Sequence, residues 1–401
     1  LFVQILQGYK FQLRPSAEQE AQMHRFAGCC RYVWNKALAL EKERYAQGEK
    51  YLGYYELTAL LTKWRHTEET SFLAETNCDC LQQSLRNLDN AYKNFFAKRA
   101  DLPKFKKKIR HATFRYVKCF KFDESNSRIY LPKLGWMHYR ASRKIKGIPK
   151  NVTVSKNAGK WYVSIQTERI VAEPVHPSQS AVGIDLGVVN FATLSDGTVI
   201  KPVNSYKQHR RKISRLKRKL ARCRKFSSNW HKLDNKIGKL YEKMSNIRRD
   251  FLHKTSTTIS KNHAVVVLED LKVQQMLRSA GYALRSAILD QGWAEFRRML
   301  TYKLAWRGGK LIVVPPPYTS QTCNYCGCID RANRKTQAHF QCTTCGHELN
   351  ADLNAALNIL AAGHAAAACP GNREAAAARL RLRVGDALAP AMKQEPALLA
   401  A

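Results

Sequence analysis

Four cysteines in the C-terminal third of the chain have the spacing of a zinc site. The motifs CNYC and CTTC are separated by 15 residues, which gives the pattern C-x2-C-x15-C-x2-C. Two thiolates two residues apart can bind one Zn²⁺ from a tight turn, and a second pair completes a tetrahedral shell with no open position for catalysis. We therefore predict a structural zinc ion. Its ligands are Cys323, Cys326, Cys342 and Cys345.

Two further observations concern this motif. A glycine follows each cysteine pair, at Gly327 and Gly346, where a tight turn is needed. The alternative to a zinc site is a set of four unrelated free thiols, which these glycines disfavour. Cys328 lies two residues after Cys326 and could compete as a ligand, although that spacing is too short for the turn.

Three acidic residues lie where the chain pattern changes abruptly: Asp185 in VGIDLG, Glu269 in VVVLED and Asp352 in NADLNAA. Singly, an acid in such a place is commonly a turn or cap residue. Together they place carboxylates at the ends of two strands and at the start of a helix. Converging carboxylates repel one another unless cations lie between them, and two Mg²⁺ ions about 4 Å apart can activate water against a phosphodiester. The predicted reaction is phosphodiester hydrolysis.

Short apolar strands and helices alternate in the part of the chain that must position these acids. We predict strands at residues 181–185, 191–195, 264–269 and 311–314, and the last two are β-branched runs typical of a buried sheet. The fold class predicted for this region is α/β.

A long basic segment, residues 206–260, separates the second of these strands from the third. Apolar residues such as Ile213, Leu216 and Leu220 recur at intervals of three and four, with a probable bend at 226–230. We predict an antiparallel helical hairpin whose basic faces lie along a nucleic-acid backbone; the alternative is a hairpin with solvated faces. The candidate contact residues are Arg211, Lys212, Arg215 and Lys219.

The N-terminal half contains a different arrangement. A short strand at 9–13 precedes a long helical region, and the segments NVTVS and WYVSIQ predict a β-hairpin with which that strand could pair. A dense basic run precedes four aromatic residues, and basic residues interleaved with aromatic ones suit phosphate contacts and base stacking. The basic candidates are Lys104, Lys106, Lys107 and Lys108. The aromatic candidates are Phe114, Tyr116, Phe120 and Phe122.

Composition narrows the class of partner. The chain of 401 residues has 68 Lys plus Arg against 31 Asp plus Glu, a formal net charge of +37. Such a surplus implies a polyanionic partner. No stretch of about 18 apolar residues predicts a membrane span, so nucleic acid is favoured over a membrane. No signal peptide is recognised, and reduced thiols fit the cysteine pattern, so we expect a cytoplasmic, prokaryotic, nucleoid-associated protein.

Several motifs together resemble the TnpB (OrfB) family of transposon-encoded, RuvC-like nucleases, which are related to the type V CRISPR effectors. The resemblance covers roughly residues 9–362. The motifs that carry it are GIDLGVVNFATLSDG, NIRRDFLHKTST, VVVLEDLKV, ILDQGWAEFRRMLTYK, YTSQTC and NADLNAALNIL. It implies that Asp185, Glu269 and Asp352 are the catalytic acids and that the four cysteines bind zinc.

The resemblance also implies an architecture and partners. The expected fold is an RNase H-like (RuvC) nuclease domain with a zinc-ribbon insertion, preceded by a β-barrel wedge domain with an inserted helical recognition domain. The expected partners are a guide RNA from the transposon end and double-stranded target DNA, which is cut next to a short flanking motif. A separate transposase encoded nearby would perform mobilisation.

The resemblance also predicts domain boundaries. The N-terminal half contains a wedge domain at 1–15 and 112–172 and a recognition domain at 16–111. A linker at 173–180 leads to a nuclease domain at 181–362, with its hairpin at 206–260 and its zinc ribbon at 319–349, and a disordered tail follows at 363–401.

Two other functions stay open. One is a guided binding protein or regulator of transposition without essential nuclease activity, which the presence of all three acids disfavours. The other is a strand-joining transposase.

Overall fold

The computed structural model describes residues 2–107, 112–315 and 318–368. The chain divides into two compact units, Phe2–Val171 and the part from Ala172 onward. Each unit has its own hydrophobic core. Within the described residues, no helix is long and apolar enough to cross a membrane.

A seven-stranded sheet and three α-helices form the first unit. The strand order is β2-β6-β7-β1-β5-β4-β3. The elements are β1 (Phe2–Arg14), α1 (Ala17–Ala46), α2 (Tyr54–His66), a 3₁₀ helix (Glu68–Glu75), α3 (Cys78–Phe96), β2 (Thr113–Tyr116), β3 (Lys121–Asp123), β4 (Arg128–Leu131), β5 (Gly135–Tyr139), β6 (Ile148–Asn157) and β7 (Lys160–Ala172).

The strand predicted at 9–13 is part of β1, and it lies between β7 and β5 in the sheet. Its alternate residues Tyr9, Phe11 and Leu13 are buried, as the alternating pattern requires. The predicted hairpin is β6 and β7, which pair in antiparallel fashion. The helices are therefore inserted between the first strand of the sheet and the rest, and the predicted pairing is confirmed.

The prediction that Phe114 and Tyr116 stack on nucleic-acid bases is wrong. Both are buried in the core, and the Phe114 ring lies edge-on to Phe26 of α1 at 5.7 Å between centroids. Phe120 and Phe122 pack partly against the same core. Alternation in β2 turns Phe114 and Tyr116 inward, where α1 and α3 pack on the strand.

The second unit contains a five-stranded mixed sheet, a helical hairpin and a small two-stranded sheet. The elements are β8 (Ala181–Asp185), β9 (Ala192–Leu194), β10 (Val199–Ile200), α4 (Ser205–Ala221), α5 (Ser228–Asn262), β11 (Val265–Glu269), α6 (Val273–Ser279), α7 (Tyr282–Gln291), α8 (Trp293–Ala305), β12 (Lys310–Val314), a 3₁₀ turn (Arg331–Asn333), β13 (His339–Gln341), β14 (Glu348–Asn350) and α9 (Ala351–Ala368). The four strands predicted here are β8, β9, β11 and β12, with ends that differ by no more than one residue.

The sheet has the order β10-β9-β8-β11-β12. Strands β8, β11 and β12 are parallel, whereas β9 and β10 run antiparallel to their neighbours. Ile184 pairs with Leu268 across β8 and β11. The next residues, Asp185 and Glu269, therefore leave the sheet side by side at the same edge.

Helix α9 packs on this sheet through two glycines. A Cβ atom at Gly183 of β8 would lie 2.2 Å from the carbonyl oxygen of Ala356, and one at Gly363 would lie 2.4 Å from a methyl group of Val267. Only glycine permits such close approach. The predicted tail is wrong for residues 363–368, because this contact keeps them in α9; residues 369–401 lie outside the described residues.

The predicted hairpin corresponds to α4 and α5, joined by residues 222–227. Its bend comes a few residues earlier than predicted, because Ser227 caps α5 by accepting from the backbone N–H of Trp230 at 3.2 Å. Asp290 of α7 anchors the other end of α4. It accepts from the Ser205 hydroxyl at 2.7 Å and from the Tyr206 backbone N–H at 2.8 Å.

We expect Gly183→Ala to lower the free energy of unfolding by about 1–3 kcal/mol or more, because the added methyl group forces α9 away from β8. Thermal melting of the purified protein measures this. Gly8→Ala is the matched control, since Gly8 also lies in a strand but has no atom within 4 Å of the added Cβ. Equal melting temperatures for the two variants would contradict the proposed close contact.

Candidate functional site

The three predicted acids converge at one edge of the five-stranded sheet. Asp185 ends β8, Glu269 ends β11, and Asp352 lies in the first turn of α9. Burial and, after it, the charges of Glu269 and Asp352 together raise the pKa of Asp185 to about 7, although Arg334 opposes them. Glu269 and Asp352 are therefore near enough to Asp185 to repel its charge.

Two asparagines orient Asp352. The side-chain oxygen of Asn350 accepts from the backbone N–H groups of Asp352 at 3.0 Å and Leu353 at 3.2 Å, so Asn350 caps α9. Asn190, in the loop after β8, donates to Asp352 Oδ2 at 3.1 Å. Lys201 Nζ donates to the side-chain oxygen of Asn190 at 2.7 Å. Sequence reasoning missed Asn190, whose only signal was its place in the GVVNFATL motif.

The small two-stranded sheet adds a cation to the site. Arg334 Nη2 lies 3.5 Å from Asp352 Oδ1, and the guanidinium lowers the pKa of Asp185 against the effect of burial. Its backbone pairs with Phe340, which fixes the arginine on this sheet. Sequence reasoning missed Arg334, because a single arginine between two cysteine pairs carries no recognisable pattern.

A threonine holds the second acid. The Thr319 hydroxyl donates to Glu269 Oε1, and this bond opposes the rise in the pKa of Glu269 that burial causes. Asn358 of α9 in turn donates to the carbonyl oxygens of Thr319 at 2.9 Å and Thr322 at 2.7 Å. The segment that leads into the first cysteine pair is thereby attached both to the helix that carries Asp352 and to Glu269.

The four predicted cysteines come together. Their sulfur atoms all lie within 4.8 Å of one another, with Cys323 to Cys345 at 3.8 Å and Cys326 to Cys342 at 3.5 Å. Zn–S bonds of about 2.3 Å in a tetrahedron place the sulfurs about 3.8 Å apart. The cluster thus has the dimensions of a Cys₄ zinc site, and we call residues 319–349 the ribbon.

The two cysteine pairs have the same backbone structure. In each, the glycine N–H donates to the carbonyl of the first cysteine, at 2.9 Å for Gly327 and 3.1 Å for Gly346, and both glycines have positive φ, at 76° and 71°. The turns predicted at these glycines are confirmed. Backbone N–H groups of Cys345 and Thr344 lower the pKa of Cys342 to about 6, whereas the pKa values of Cys326 and Cys345 are raised by hydrogen bonding and burial beside the other thiols.

Cys328 is not part of this cluster. Its sulfur accepts a hydrogen bond from the Thr344 hydroxyl at 3.0 Å, and the metal-ligand group found among the described residues comprises only the other four thiols. The structure therefore gives no support to Cys328 as a competing ligand.

The predicted contact residues of the hairpin lie on an exposed face of α4. Arg211, Arg215 and Lys219 recur at intervals of four with Lys212 beside them, and all four are exposed. The opposite face is apolar, and Ile213 is buried between the two helices together with Ile237 of α5. No acidic partner for these four cations occurs among the residues that the structure describes.

Part of the basic run of the first unit contacts helix α1. Lys106 Nζ lies 3.7 Å from the centre of the Trp34 ring, and the Asn35 side chain bonds both the N–H and the carbonyl of Lys106, at 2.8 and 2.9 Å. Lys106 is half-buried, whereas Lys104 and Lys107 are exposed. Lys108 lies outside the described residues.

Three family models match the chain. Residues 151–280 match the family OrfB_IS605, described as "Probable transposase", and residues 293–359 match "Cas12f1-like, TNB domain". Residues 5–50 match a "Helix-turn-helix domain". In this structure those residues form β1 and the single long helix α1.

Similar proteins extend over most of the chain. A "Putative RNA-guided DNA endonuclease InsQ" of Escherichia coli (strain K12) is 53% identical over 91% of this chain and 94% of its own length. A "Putative RNA-guided DNA endonuclease" of Streptomyces pristinaespiralis is 36% identical over 91% of each chain. A solved Cas12f1 chain, from a complex with single guide RNA and target DNA, has the same fold with a TM-score of 0.59 at 15% identity, covering 89% of this chain and 98% of that one. The chain therefore belongs to the TnpB (OrfB) family.

Proposed function

We propose that this protein is an RNA-guided endonuclease of a transposable element that hydrolyses phosphodiester bonds in double-stranded DNA next to a short flanking motif. The observation that carries the proposal is the meeting of Asp185, Glu269 and Asp352 at one sheet edge, in a chain 53% identical to a protein named for this activity. Base pairing with the guide would select the target, while the protein reads the flanking motif and binds the heteroduplex by its backbone.

The acid cluster has the chemistry to hold divalent metal ions. Carboxylate oxygens are the ligands that Mg²⁺ prefers, and a bound cation would relieve the repulsion that Glu269 and Asp352 exert on Asp185. Among the described residues, the carboxylate oxygens are not gathered as closely as the four thiol sulfurs, which lie within 4.8 Å of one another. Asp185, Glu269 and Asp352 would hold the metal, which we take to be two Mg²⁺ ions. Bound there, Mg²⁺ would activate water and stabilise the leaving oxygen.

The protein's own groups prepare this site. Thr319 orients the Glu269 carboxylate, and Asn190 and Asn350 orient Asp352, so the acids are held before the substrate arrives. Arg334 uses part of its guanidinium on Asp352. Arg334 Nη2 also donates to the carbonyl oxygen of Gln337 at 3.0 Å, which leaves Nε and Nη1 to donate to a phosphate oxygen of the DNA.

The architecture of each unit supports a proposed division into domains. A five-stranded mixed sheet with acids at the ends of two central parallel strands supports an RNase H-like (RuvC) nuclease domain over 181–362, with the hairpin and the ribbon as insertions. In the first unit, a seven-stranded sheet with helices inserted after its first strand supports a wedge domain and an inserted recognition domain. We propose 1–15 with 112–172 for the wedge and 16–111 for the recognition domain.

The ribbon would bind one structural Zn²⁺ through its four thiols. The hairpin and the exposed lysines Lys104 and Lys107 would contact the phosphate backbone of the guide RNA and of the guide–target duplex, because exposed cations neutralise phosphates without reading sequence. Lys104 lies 4.0 Å from Asp101, but an ion pair this exposed is weak and can give way to a phosphate. Mobilisation of the element would depend on a separate transposase. The protein would act at the nucleoid.

Strand joining is the second candidate function, because the matched family is described as "Probable transposase". An assay that detects covalent joining of a labelled DNA end to a target separates the two functions. If the assay yields cleaved DNA ends and no joined product, the nuclease function is supported.

We expect Asp185→Asn, Glu269→Gln and Asp352→Asn each to reduce guided DNA cleavage by roughly 100-fold or more, because each removes a ligand charge from the metal site. Guide RNA binding should be unchanged. Asp250→Asn is the control, since Asp250 is an exposed acid on α5.

The Asp185→Asn variant also tests the raised pKa of Asp185. In EDTA at pH 8, above the pKa of about 7, Asp185→Asn should have a higher melting temperature than wild type, because the substitution removes a buried and repelled charge. The difference in melting temperature should shrink towards pH 5, where Asp185 is protonated in the folded wild-type protein. Near wild-type cleavage by any one variant would exclude that residue from the site.

We expect the purified protein to contain about one Zn²⁺ per chain and Cys342→Ser to lose it, because a tetrahedral site with three thiolates binds the metal far more weakly. The ribbon should then become sensitive to protease, and cleavage should fall because Thr319 no longer holds Glu269. Elemental analysis measures the zinc. Cys328→Ser is the matched control and should keep its metal; zinc loss from this variant, or a wild-type protein without zinc, would contradict the Cys₄ assignment.

We expect replacement of Arg211, Lys212, Arg215 and Lys219 together by Gln to weaken guide RNA binding and to flatten its dependence on salt. The slope of log affinity against log salt should fall by roughly 0.7–0.9 for each residue that contacts a phosphate. Target choice and flanking-motif preference should not change. The control exchanges each Arg for Lys and each Lys for Arg, which keeps the charge. Unaltered affinity and slope would show a merely solvated face, and a shifted motif preference would show base reading.

A further inference from the structure

Three aromatic rings gather at the turn between α4 and α5, and the proposed function does not use them. The Phe226 ring centroid lies 5.5 Å from that of Trp230 and 6.4 Å from that of His231. Trp230 and His231 meet nearly at right angles, with 5.2 Å between their centroids. We call residues 222–232 the hairpin tip. Its rings form one cluster rather than isolated surface side chains.

An unfavourable backbone conformation displays the Phe226 ring to solvent. Phe226 has a φ of 65°, in the left-handed region that glycine and asparagine adopt readily and a bulky residue seldom adopts. Its side chain is 74% exposed, so the ring adds little to any core. A glycine here would relieve the backbone and remove apolar surface from water. The stability of the fold therefore gives no reason for an aromatic residue at this position.

The turn that carries this ring is fixed by its own hydrogen bonds. The N–H of Ser227 donates to the carbonyl oxygen of Arg224 at 3.2 Å, and the N–H of His231 donates to the carbonyl oxygen of Ser227 at 3.0 Å. The Ser227 hydroxyl accepts from the N–H of Trp230 at 3.2 Å. A ligand that stacks on Phe226 therefore does not have to order a loose loop first.

The charges around the rings suit a polyanion. The chain has no acidic residue from 206 to 233, and the first one that follows, Asp234, is buried. Four basic residues of the hairpin tip are exposed: Arg222, Arg224, Lys225 and Lys232. Cations of this kind bind the phosphates of a nucleic acid, and an exposed ring beside them stacks on its bases.

The state of the bases narrows the choice of nucleic acid. A base inside a duplex is already stacked on its neighbours, so the ring can reach only the face of an unpaired or terminal base. RNA offers such bases in its loops, bulges and ends. A double-stranded DNA target has none until the guide has paired with it. The basic residues of the hairpin tip also continue those of α4, which we propose to contact the guide RNA backbone.

We propose that the hairpin tip binds an unpaired nucleobase of the guide RNA, which stacks on the Phe226 ring while Arg224 and Lys225 contact the flanking phosphates. The inference rests on the proposed function, because that function supplies the guide RNA as the partner. Every base has a π-face, so this contact selects an unpaired nucleotide rather than a sequence.

Binding of the guide RNA, transcribed from the transposon end, to the full-length protein tests the proposal. Phe226→Leu keeps an apolar side chain but removes the aromatic face, and we expect its Kd to rise about tenfold, the size expected for one lost stacked base. Phe226→Tyr is the matched control, since it keeps the face and should bind as wild type does. Because the ring is mostly exposed, neither substitution should change the melting temperature.

A scan of the RNA locates the contact. A single abasic nucleotide replaces each unpaired nucleotide of the guide RNA in turn. One position should reproduce the tenfold loss with the wild-type protein and have no further effect with Phe226→Leu, because both changes remove the same contact.

The outcomes are distinguishable. Equal Kd values for Phe226→Leu and wild type would overturn the stacking proposal and leave the nuclease in place. A loss seen only when target DNA binds the assembled protein–RNA complex would also overturn it, because the ring would then contact DNA. A lower melting temperature for Phe226→Leu would assign the ring to stability instead. If the wild-type protein does not bind the guide RNA, the proposed function itself fails.

Discussion

The crowding of two negative charges around the buried carboxyl group of Asp185 is the interaction on which the second unit depends. Burial at the end of β8 and, after it, the charges of Glu269 and Asp352 raise the pKa of Asp185 to about 7. An arrangement of this kind opposes folding, so it persists only where the surrounding structure holds it rigidly. A cation bound at this edge of the sheet, as we propose, would relieve the same repulsion.

The framework that holds these acids is formed by close backbone contacts rather than by large side chains. The parallel pairing of β8 with β11 sets Asp185 beside Glu269. Gly183 lies two residues before Asp185 on the same face of its strand, and Ala356 lies one helical turn after Asp352. Their contact therefore determines how near the third carboxylate comes to the first. A methyl group at position 183 would alter this distance without touching the acids.

The ribbon is more than a separate zinc module in this arrangement. It supplies Arg334 to Asp352, and its leading segment supplies Thr319 to Glu269. Asn358 binds that segment to the helix that bears Asp352. Because the ribbon is too small to bury much core, a bound metal would have to order it. The folding of the ribbon and the orientation of Glu269 and Asp352 are thus linked through three hydrogen-bonded or ion-paired contacts.

The sequence alone was sufficient for features whose causes are local. The strands β8 and β11 follow from apolar, β-branched runs, and the Cys₄ cluster follows from two short turns that each carry both of their own ligands and their glycine. Features that depend on distant partners were decided by the tertiary structure. Asn190 lies against Asp352 although 162 residues separate them, and Lys106 Nζ lies over the ring of Trp34. Alternating aromatic residues such as Phe114 have the same pattern in a stacking surface and in a buried strand. The packing of α1 and α3 on β2 determines which face is covered, because burial depends on what lies opposite a residue and not on the residue's own neighbours in the chain.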